Sequence, residues 1–252
     1  MFRSFFFAAA LLLSGLRASA QPRVIAHRGD WTSAGSAQNS LTSFARADSL
    51  GVYGSEFDVW LTADDKLVVN HDRTYRGVDL ERSKAREITA LTLPNGEHIP
   101  TLDAYLALAA RKPATRLILE MKSLSDFRRE DLAARKIVRA LKKHGLLERT
   151  DVIAFSLNAC LTFRKLLPAT SVYYLYGDLP PQIIKRLGLT GVDYHMGVLR
   201  QNPQWIEQAH DLGLEVNVWT VDSEEDMRYF IDRGVDYITT DYPERLQALL
   251  RE

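Results

Sequence analysis

The sequence predicts an α/β fold of the (β/α)8 TIM-barrel class, with a small insertion after the second strand. Three observations predict it. Eight short runs rich in Val, Ile, Leu and Tyr alternate with longer amphipathic stretches, the signature of parallel strands linked by helices. Charged and polar residues gather at the C-terminal ends of those runs, the rim on which barrels of this class build their sites. The chain has 252 residues, and such barrels commonly run to about 250 as one domain.

The eight runs begin near Val24-Ile25-Ala26, Ser55-Glu56-Phe57-Asp58-Val59, Arg116-Leu117-Ile118-Leu119-Glu120, Asp151-Val152-Ile153-Ala154-Phe155, Val172-Tyr173-Tyr174-Leu175, Val192-Asp193-Tyr194, Glu215-Val216-Asn217-Val218-Trp219 and Tyr237-Ile238-Thr239. Between them lies helical punctuation. Asp222-Ser223-Glu224-Glu225 opens one helix with acids in its first turn, and Arg233-Gly234 closes it. Asn202-Pro203 begins another and Leu212-Gly213 ends it. An open doubly wound sheet is the rival architecture, but no Gly-x-Gly-x-x-Gly follows the first strand. From Asp72 to Thr101 the rhythm breaks: Gly77, Pro94, Gly96 and Pro100 surround a short helical pattern from Arg82 to Leu91. This segment, about 72–101, reads as an inserted loop or small subdomain over the barrel mouth.

Residues 1–20 read as a cleaved signal peptide. Arg3 precedes an apolar run from Phe5 to Leu13, and Ala18-Ser19-Ala20 makes an Ala-x-Ala site before Gln21. The run is shorter than the ~20 residues of a membrane span, so no stable membrane anchor is expected. The expectation is export to the periplasm or medium, with residues 21–252 as a single domain. Loss of Arg3 and Arg17 leaves 30 basic residues against 32 acidic, a balance that offers nucleic acid no concentrated basic patch. The one cysteine, Cys160, has no disulfide partner in the chain and falls in a helical stretch as a small buried thiol.

Strands buried on both faces should be apolar, so charges within them need pairing or a metal. Residues two apart share a face, which sets Glu56 beside Asp58 and Glu120 beside Lys122 at the mouth, with Phe57 and Met121 turned out to the helices. Glu56, Asp58 and Glu120 together make a hard oxygen site suited to a divalent cation, magnesium or calcium, with manganese also fitting. The bland reading pairs single carboxylates with Arg28 or Lys122. His27 and His71 each follow a short apolar run and lead into a loop, so both can reach one mouth. Two histidines beside a carboxylate cluster meet the needs of phosphodiester cleavage, one taking a proton and one delivering it. Arg28 and Lys122 are candidate phosphate contacts. His98, His144 and His210 read as surface residues. His195 is placed to line the site or to pack structurally.

Taken together, His27-Arg28-Gly29, Gln38-Asn39-Ser40, Glu56-Phe57-Asp58-Val59 and Leu67-Val68-Val69-Asn70-His71-Asp72 resemble the glycerophosphodiester phosphodiesterase family. Ile99-Pro100-Thr101-Leu102, Glu120-Met121-Lys122, Val218-Trp219-Thr220-Val221-Asp222 and Ile238-Thr239-Thr240-Asp241-Tyr242-Pro243 look like its later motifs, so the resemblance runs through the mature chain. It implies a small-molecule glycerophosphodiester substrate, cleaved to glycerol 3-phosphate and an alcohol. It also implies Glu56, Asp58 and Glu120 as metal ligands, His27 and His71 as the catalytic acid-base pair, Arg28 and Lys122 on the phosphate, and Trp219 as a wall. In the mechanism that the family implies, the glycerol 2-hydroxyl attacks phosphorus, and the cyclic phosphate is then hydrolysed with the histidines' roles exchanged. Gln38 stands where the family usually has Glu.

Two rival functions are carried forward. One is a phospholipase-type phosphodiesterase acting on phospholipid or lysophospholipid, with Trp31, Tyr53 and Tyr75 as an apolar rim. The other is a non-catalytic phosphate-ester binding protein of the periplasm, which would have no turnover to lose when a histidine is replaced.

Overall fold

The computed structural model describes residues 21–252; the signal peptide expected over residues 1–20 lies outside the described residues. Eight parallel strands close into a barrel: β1 (Arg23–Ala26), β2 (Gly54–Leu61), β3 (Arg116–Met121), β4 (Thr150–Ala154), β5 (Val172–Tyr174), β6 (Gly191–His195), β7 (Glu215–Trp219) and β8 (Tyr237–Thr240). Each pairs with its sequence neighbour, and β1 pairs with both β2 and β8, which closes the ring. Helices follow the strands on the outside. This is the (β/α)8 architecture that the alternating pattern predicts, with all eight strands where it places them.

Alternation along the strands sorts side chains between two cores. On β3, Leu117, Leu119 and Met121 face the outer layer of helices, while Ile118 turns inward with Ile25, Ile153 and Tyr173. Phe57 on β2 likewise faces out and stacks on Tyr105 of the helix Leu102–Ala109, ring centroids 4.4 Å apart. Glu56, Asp58 and Glu120 occupy the inward phase, alternating with Phe57, Leu119 and Met121.

The strand β2 outruns its neighbours. Its last residues, Val59, Trp60 and Leu61, pair antiparallel with Leu67–Val69, so the excursion leaves the barrel as a hairpin before His71. A two-strand hairpin (Thr74–Tyr75 with Val78–Asp79) and a short helix (Ala85–Ile88) follow. Trp60, Val68, Leu80, Ile88, Leu93 and Ile99 give this segment an apolar cluster of its own, which holds it over the mouth. Thr101 then caps the helix Leu102–Ala109 through its hydroxyl, accepting from Ala104 N at 3.1 Å.

Punctuation elsewhere follows the sequence. Ser223 caps the helix Glu224–Asp232, and Gly234 takes the left-handed conformation just beyond Arg233. Cys160 is fully buried in the helix Leu157–Leu166, and burial pushes its thiol up to about 12, so it is inert. Tyr53 is a correction to the apolar rim proposed from sequence. It precedes β2 and packs at the opposite end of the barrel, 5.1 Å from Tyr237 with Arg23 over its ring at 4.9 Å. No helix among the described residues is long and apolar enough to cross a membrane.

Candidate active site

The turn after β1 is built on strained backbone. Arg28 and Gly29 both have positive φ, 57° and 78°. A Cβ on Gly29 would come within 2.6 Å of the Ser43 carbonyl carbon, so glycine is required there on two counts. The conformation aims the Arg28 amide into the mouth, where it donates to Glu56 Oε2 at 2.8 Å. Its guanidinium donates to Gln38 Oε1 at 2.7 Å. Because Gln38 is neutral, it orients Arg28 without cancelling its charge.

Asn39 also has positive φ, 61°, a conformation asparagine tolerates better than most residues. The bend lets its side chain grip Asp58 twice: the amide nitrogen donates to Oδ2 at 2.7 Å, and the amide oxygen accepts from Asp58 N at 3.0 Å. Opposite Asp58 in register stands Glu120. Lys122 Nζ lies 2.9 Å from Asp58 Oδ1 and 2.7 Å from Glu120 Oε1, so its charge is spent first on the carboxylates.

The three acids each offer one oxygen within 4.8 Å of the others, all in buried side chains. Their energetics differ. Burial, then Asp58 and Glu120, drives Glu56 well above the usual carboxylate range, while burial pushes Glu120 up to about 7. Burial also opposes ionisation of Asp58, but Lys122, His71 and Arg28 outweigh it and hold Asp58 low. Glu56 Oε1 is buried without a hydrogen-bond partner. An anionic cluster with an orphaned carboxylate oxygen fits a divalent cation, the donor set being hard oxygen throughout.

Each candidate histidine is held by an acid. His27 Nδ1 lies 2.7 Å from Asp241 Oδ1 at the end of β8. Asp241 also accepts from Trp31 Nε1 at 3.0 Å, and its backbone amide donates to Asp222 Oδ1 at 2.9 Å. His71 Nδ1 lies 2.8 Å from the more exposed Asp72. Burial lowers the His71 pKa, partly offset by Asp58.

Two spaces meet at His71. One is a pocket of about 70 Å³ lined by His27, Arg28, Glu56, Glu120, His71 and Asp193, and walled by Ile153, Phe155, Leu175 and Trp219. The Trp219 ring packs edge-on to Phe155 and is fixed by a 2.9 Å bond from Nε1 to the Asp193 carbonyl. The other is a groove of about 680 Å³ between the β1 loop and the insertion, lined by Trp31, Gln38, Asn70, His71, Tyr75 and Tyr242 among others. His195 is exposed and stands edge-on to Trp219 at 5.2 Å. His98 is exposed, whereas His144 and His210 are half-buried and bonded to Asp103 and Asp236, all away from both spaces.

The structure thus brings His27, His71, Arg28, Glu56, Asp58, Glu120, Lys122 and Trp219 to one mouth. Sequence reasoning missed Asn39, Asp193 and Asp241. The asparagine and Asp241 stand in motifs quoted above, and the signal for Asp241 was an acid directly after the last strand, the same position that marked His27 after the first.

Comparison with known proteins agrees. The sequence model of the glycerophosphoryl diester phosphodiesterase family matches residues 27–245. A glycerophosphodiester phosphodiesterase of Caldanaerobacter subterraneus is 30% identical over 243 residues, 91% of this chain and 98% of that protein. The crystal structure of a glycerophosphodiester phosphodiesterase from Parabacteroides distasonis shares 47% identity and superposes with a TM-score of 0.91, covering 92% of this chain and 97% of that one. An Oleispira antarctica phosphodiesterase, solved with its product sn-glycerol-3-phosphate, shares the fold at 23% identity and TM-score 0.80, covering 92% of this chain and 98% of that one. With the family match spanning the barrel from His27 to Arg245, the chain belongs to the glycerophosphoryl diester phosphodiesterase family.

Proposed function

We propose that this enzyme hydrolyses glycerophosphodiesters to glycerol 3-phosphate and an alcohol, with Glu56, Asp58 and Glu120 as ligands to a magnesium or calcium ion. The observation that carries the reading is the convergence of two acid-tethered histidines on one pocket with the buried carboxylate triad. When bound, the cation would neutralise charge on the phosphate oxygens. Arg28, whose buried Nε makes no hydrogen bond and stands 4.0 Å from Asp58 Oδ2, is the group that holds the phosphate. Lys122 keeps Asp58 and Glu120 in place and adds positive charge beneath them.

The two spaces suggest the division of labour. His27 lines only the smaller pocket, whereas His71 lines both pocket and groove. The pocket, about 70 Å³ against about 680 Å³ for the groove, suits the smaller, glycerol moiety. The groove then receives the leaving alcohol. His27, its Nδ1 proton held by Asp241, takes the proton of the attacking glycerol 2-hydroxyl at Nε2, and Asp241 stabilises the resulting imidazolium. As the new P–O bond forms, the P–O bond to the alcohol breaks and His71 gives that oxygen its proton. Water then opens the cyclic phosphate, His71 acting as base and His27 as acid.

Leaving-group chemistry separates these roles. With glycerophosphocholine, His27→Ala and His71→Ala should each lose roughly 10²–10⁴-fold in kcat. With a p-nitrophenyl ester, whose leaving group needs no proton, first-turnover release of nitrophenolate should recover most of its rate in His71→Ala and not in His27→Ala, His71 being still required as base in the second step. Equal losses on both substrates would overturn the assignment.

The size and apolar lining of the groove favour one second reading, a lysophospholipid substrate with its acyl chain in that space. Rates on glycerophosphocholine and lysophosphatidylcholine decide between them, and the deacylated substrate should win. Export after cleavage at Ala20 is likewise proposed, supported by the apolar run and Ala-x-Ala pattern. A secreted product whose first residue is other than Gln21 would contradict it.

A further inference from the structure

Three buried polar atoms lining the glycerol pocket lack a hydrogen-bond partner: Arg28 Nε, Glu56 Oε1 and Asp193 Oδ1. The arginine answers the phosphate in the reading above and Glu56 the cation, while Glu120 Oε1 is met by Lys122 at 2.7 Å. Asp193 has no such assignment. It sits on β6 between Val192 and Tyr194, which both face the outer core, so its side chain turns into the barrel. The residue is 2% exposed. Below the pocket Asn217 Nδ2 donates to Thr239 Oγ1 at 2.9 Å and its amide also reaches the Asp193 carboxyl, yet Oδ1 itself is left without a hydrogen-bond partner. The surrounding walls, Ile153, Phe155 and Leu175, offer nothing polar from their side chains. Leaving a buried acceptor unmet costs about 1–3 kcal/mol, so this oxygen is matched by a ligand group or by water.

We propose that Asp193 Oδ1 binds the free terminal hydroxyl of the substrate's glycerol and so makes the pocket selective for deacylated glycerophosphodiesters. An ester at that position has no hydrogen to donate, and its chain would have to enter a space of only about 70 Å³. A site built to meet a substrate hydroxyl rejects the analogue lacking it far more strongly than an apolar pocket rejects a missing methylene. Asp193 also anchors the adjacent wall, since its carbonyl holds the Trp219 indole on the neighbouring strand. The inference rests on the glycerophosphodiesterase reading.

The test compares glycerophosphocholine with its 1-deoxy analogue, the choline phosphodiester of propane-1,2-diol, in the full-length enzyme with magnesium. Wild type should favour glycerophosphocholine in kcat/KM by about 10²-fold or more. Asp193→Ala should reduce that ratio to within about threefold, chiefly by slowing glycerophosphocholine. The near-isosteric Asp193→Asn, which keeps an acceptor, should retain an intermediate ratio, and it guards against an alanine variant that fails to fold. Calorimetric binding of sn-glycerol 3-phosphate against propane-1,2-diol 1-phosphate should show the same preference without turnover. A wild-type enzyme indifferent to the hydroxyl, or an alanine variant with the full ratio, would overturn the proposal. The oxygen would then meet water in the void of about 10 Å³ that Asp193 also lines below. Absence of any turnover of glycerophosphocholine sinks the parent reading and this one with it, whereas turnover with unchanged ratios sinks only the role of Asp193.

Discussion

Chelating the cation from the Glu56, Asp58 and Glu120 site should make the stability of this protein fall as pH rises. Without a cation the acids must ionise against one another in a buried cluster. Unfolded Glu120 gives up its proton near pH 4.5, whereas the folded group keeps it to about pH 7. Its folded pKa is raised, so stability is fully present below pH 4.5, declines between about 4.5 and 7, and stays lost above. The shift corresponds to about 3 kcal/mol for this buried group, and Glu56 adds to it in the same direction. His71 works the other way up to pH 6.5, because burial favours its neutral form and low pH penalises that. The difference between wild type and Glu120→Gln isolates the carboxylate. For a chain of this size, about 3 kcal/mol moves Tm by roughly 6–12 °C. Calorimetric scans at pH 5 and pH 8, with chelator or with magnesium or calcium, read it directly. The chelated wild type should lose that margin relative to Glu120→Gln between the two pH values, and added cation should restore it at pH 8. A chelated protein whose difference from Glu120→Gln does not change with pH, or one indifferent to cation at pH 8, would refute the reasoning.

Three further outcomes follow from the site. Asp241→Asn removes the carboxylate on His27 Nδ1, and kcat should fall on the order of 10²-fold or more with KM little changed; an unaltered kcat would leave His27 without its orienting partner. Asn39→Ala releases the double grip on Asp58 and should weaken cation binding by about 10–100-fold in a titration, whereas a wild-type affinity would show the grip to be idle. Gln38→Glu would set a carboxylate against Arg28, tie up part of its charge and raise KM several-fold; a lowered KM would mean that Arg28 is not the phosphate contact.

Much of this was written in the residues, for identifiable reasons. Strands buried on both faces read as apolar runs, and charges among them stand out because burying them is expensive; Glu56, Asp58 and Glu120 were visible on that ground alone. Helix ends such as Ser223 and Gly234 were visible because caps depend on local chemistry. Other roles depend on what the fold brings near. Asn39 acts only because a left-handed backbone swings its amide onto Asp58, 19 positions away. Asp241 meets His27 because barrel closure sets β8 beside β1. Asp193 sits in a Gly-Val-Asp-Tyr stretch, where an aspartate can equally belong to a turn, and only the strand's phase turns it inward. Lys122 was legible as a site residue, but its bonds to two carboxylates required their register. Tyr53 misled because an aromatic one residue before a strand belongs to the end of the barrel remote from the mouth.

The central claim is that this mouth hydrolyses glycerophosphodiesters around a carboxylate-held cation. One product assay tests it: the chelated enzyme is offered glycerophosphocholine, glycerophosphoethanolamine and glycerophosphoglycerol, and magnesium or calcium is then added back. Glycerol 3-phosphate should be absent before the addition and accumulate after it. No release from any headgroup with cation present, or undiminished release under chelation, would contradict it.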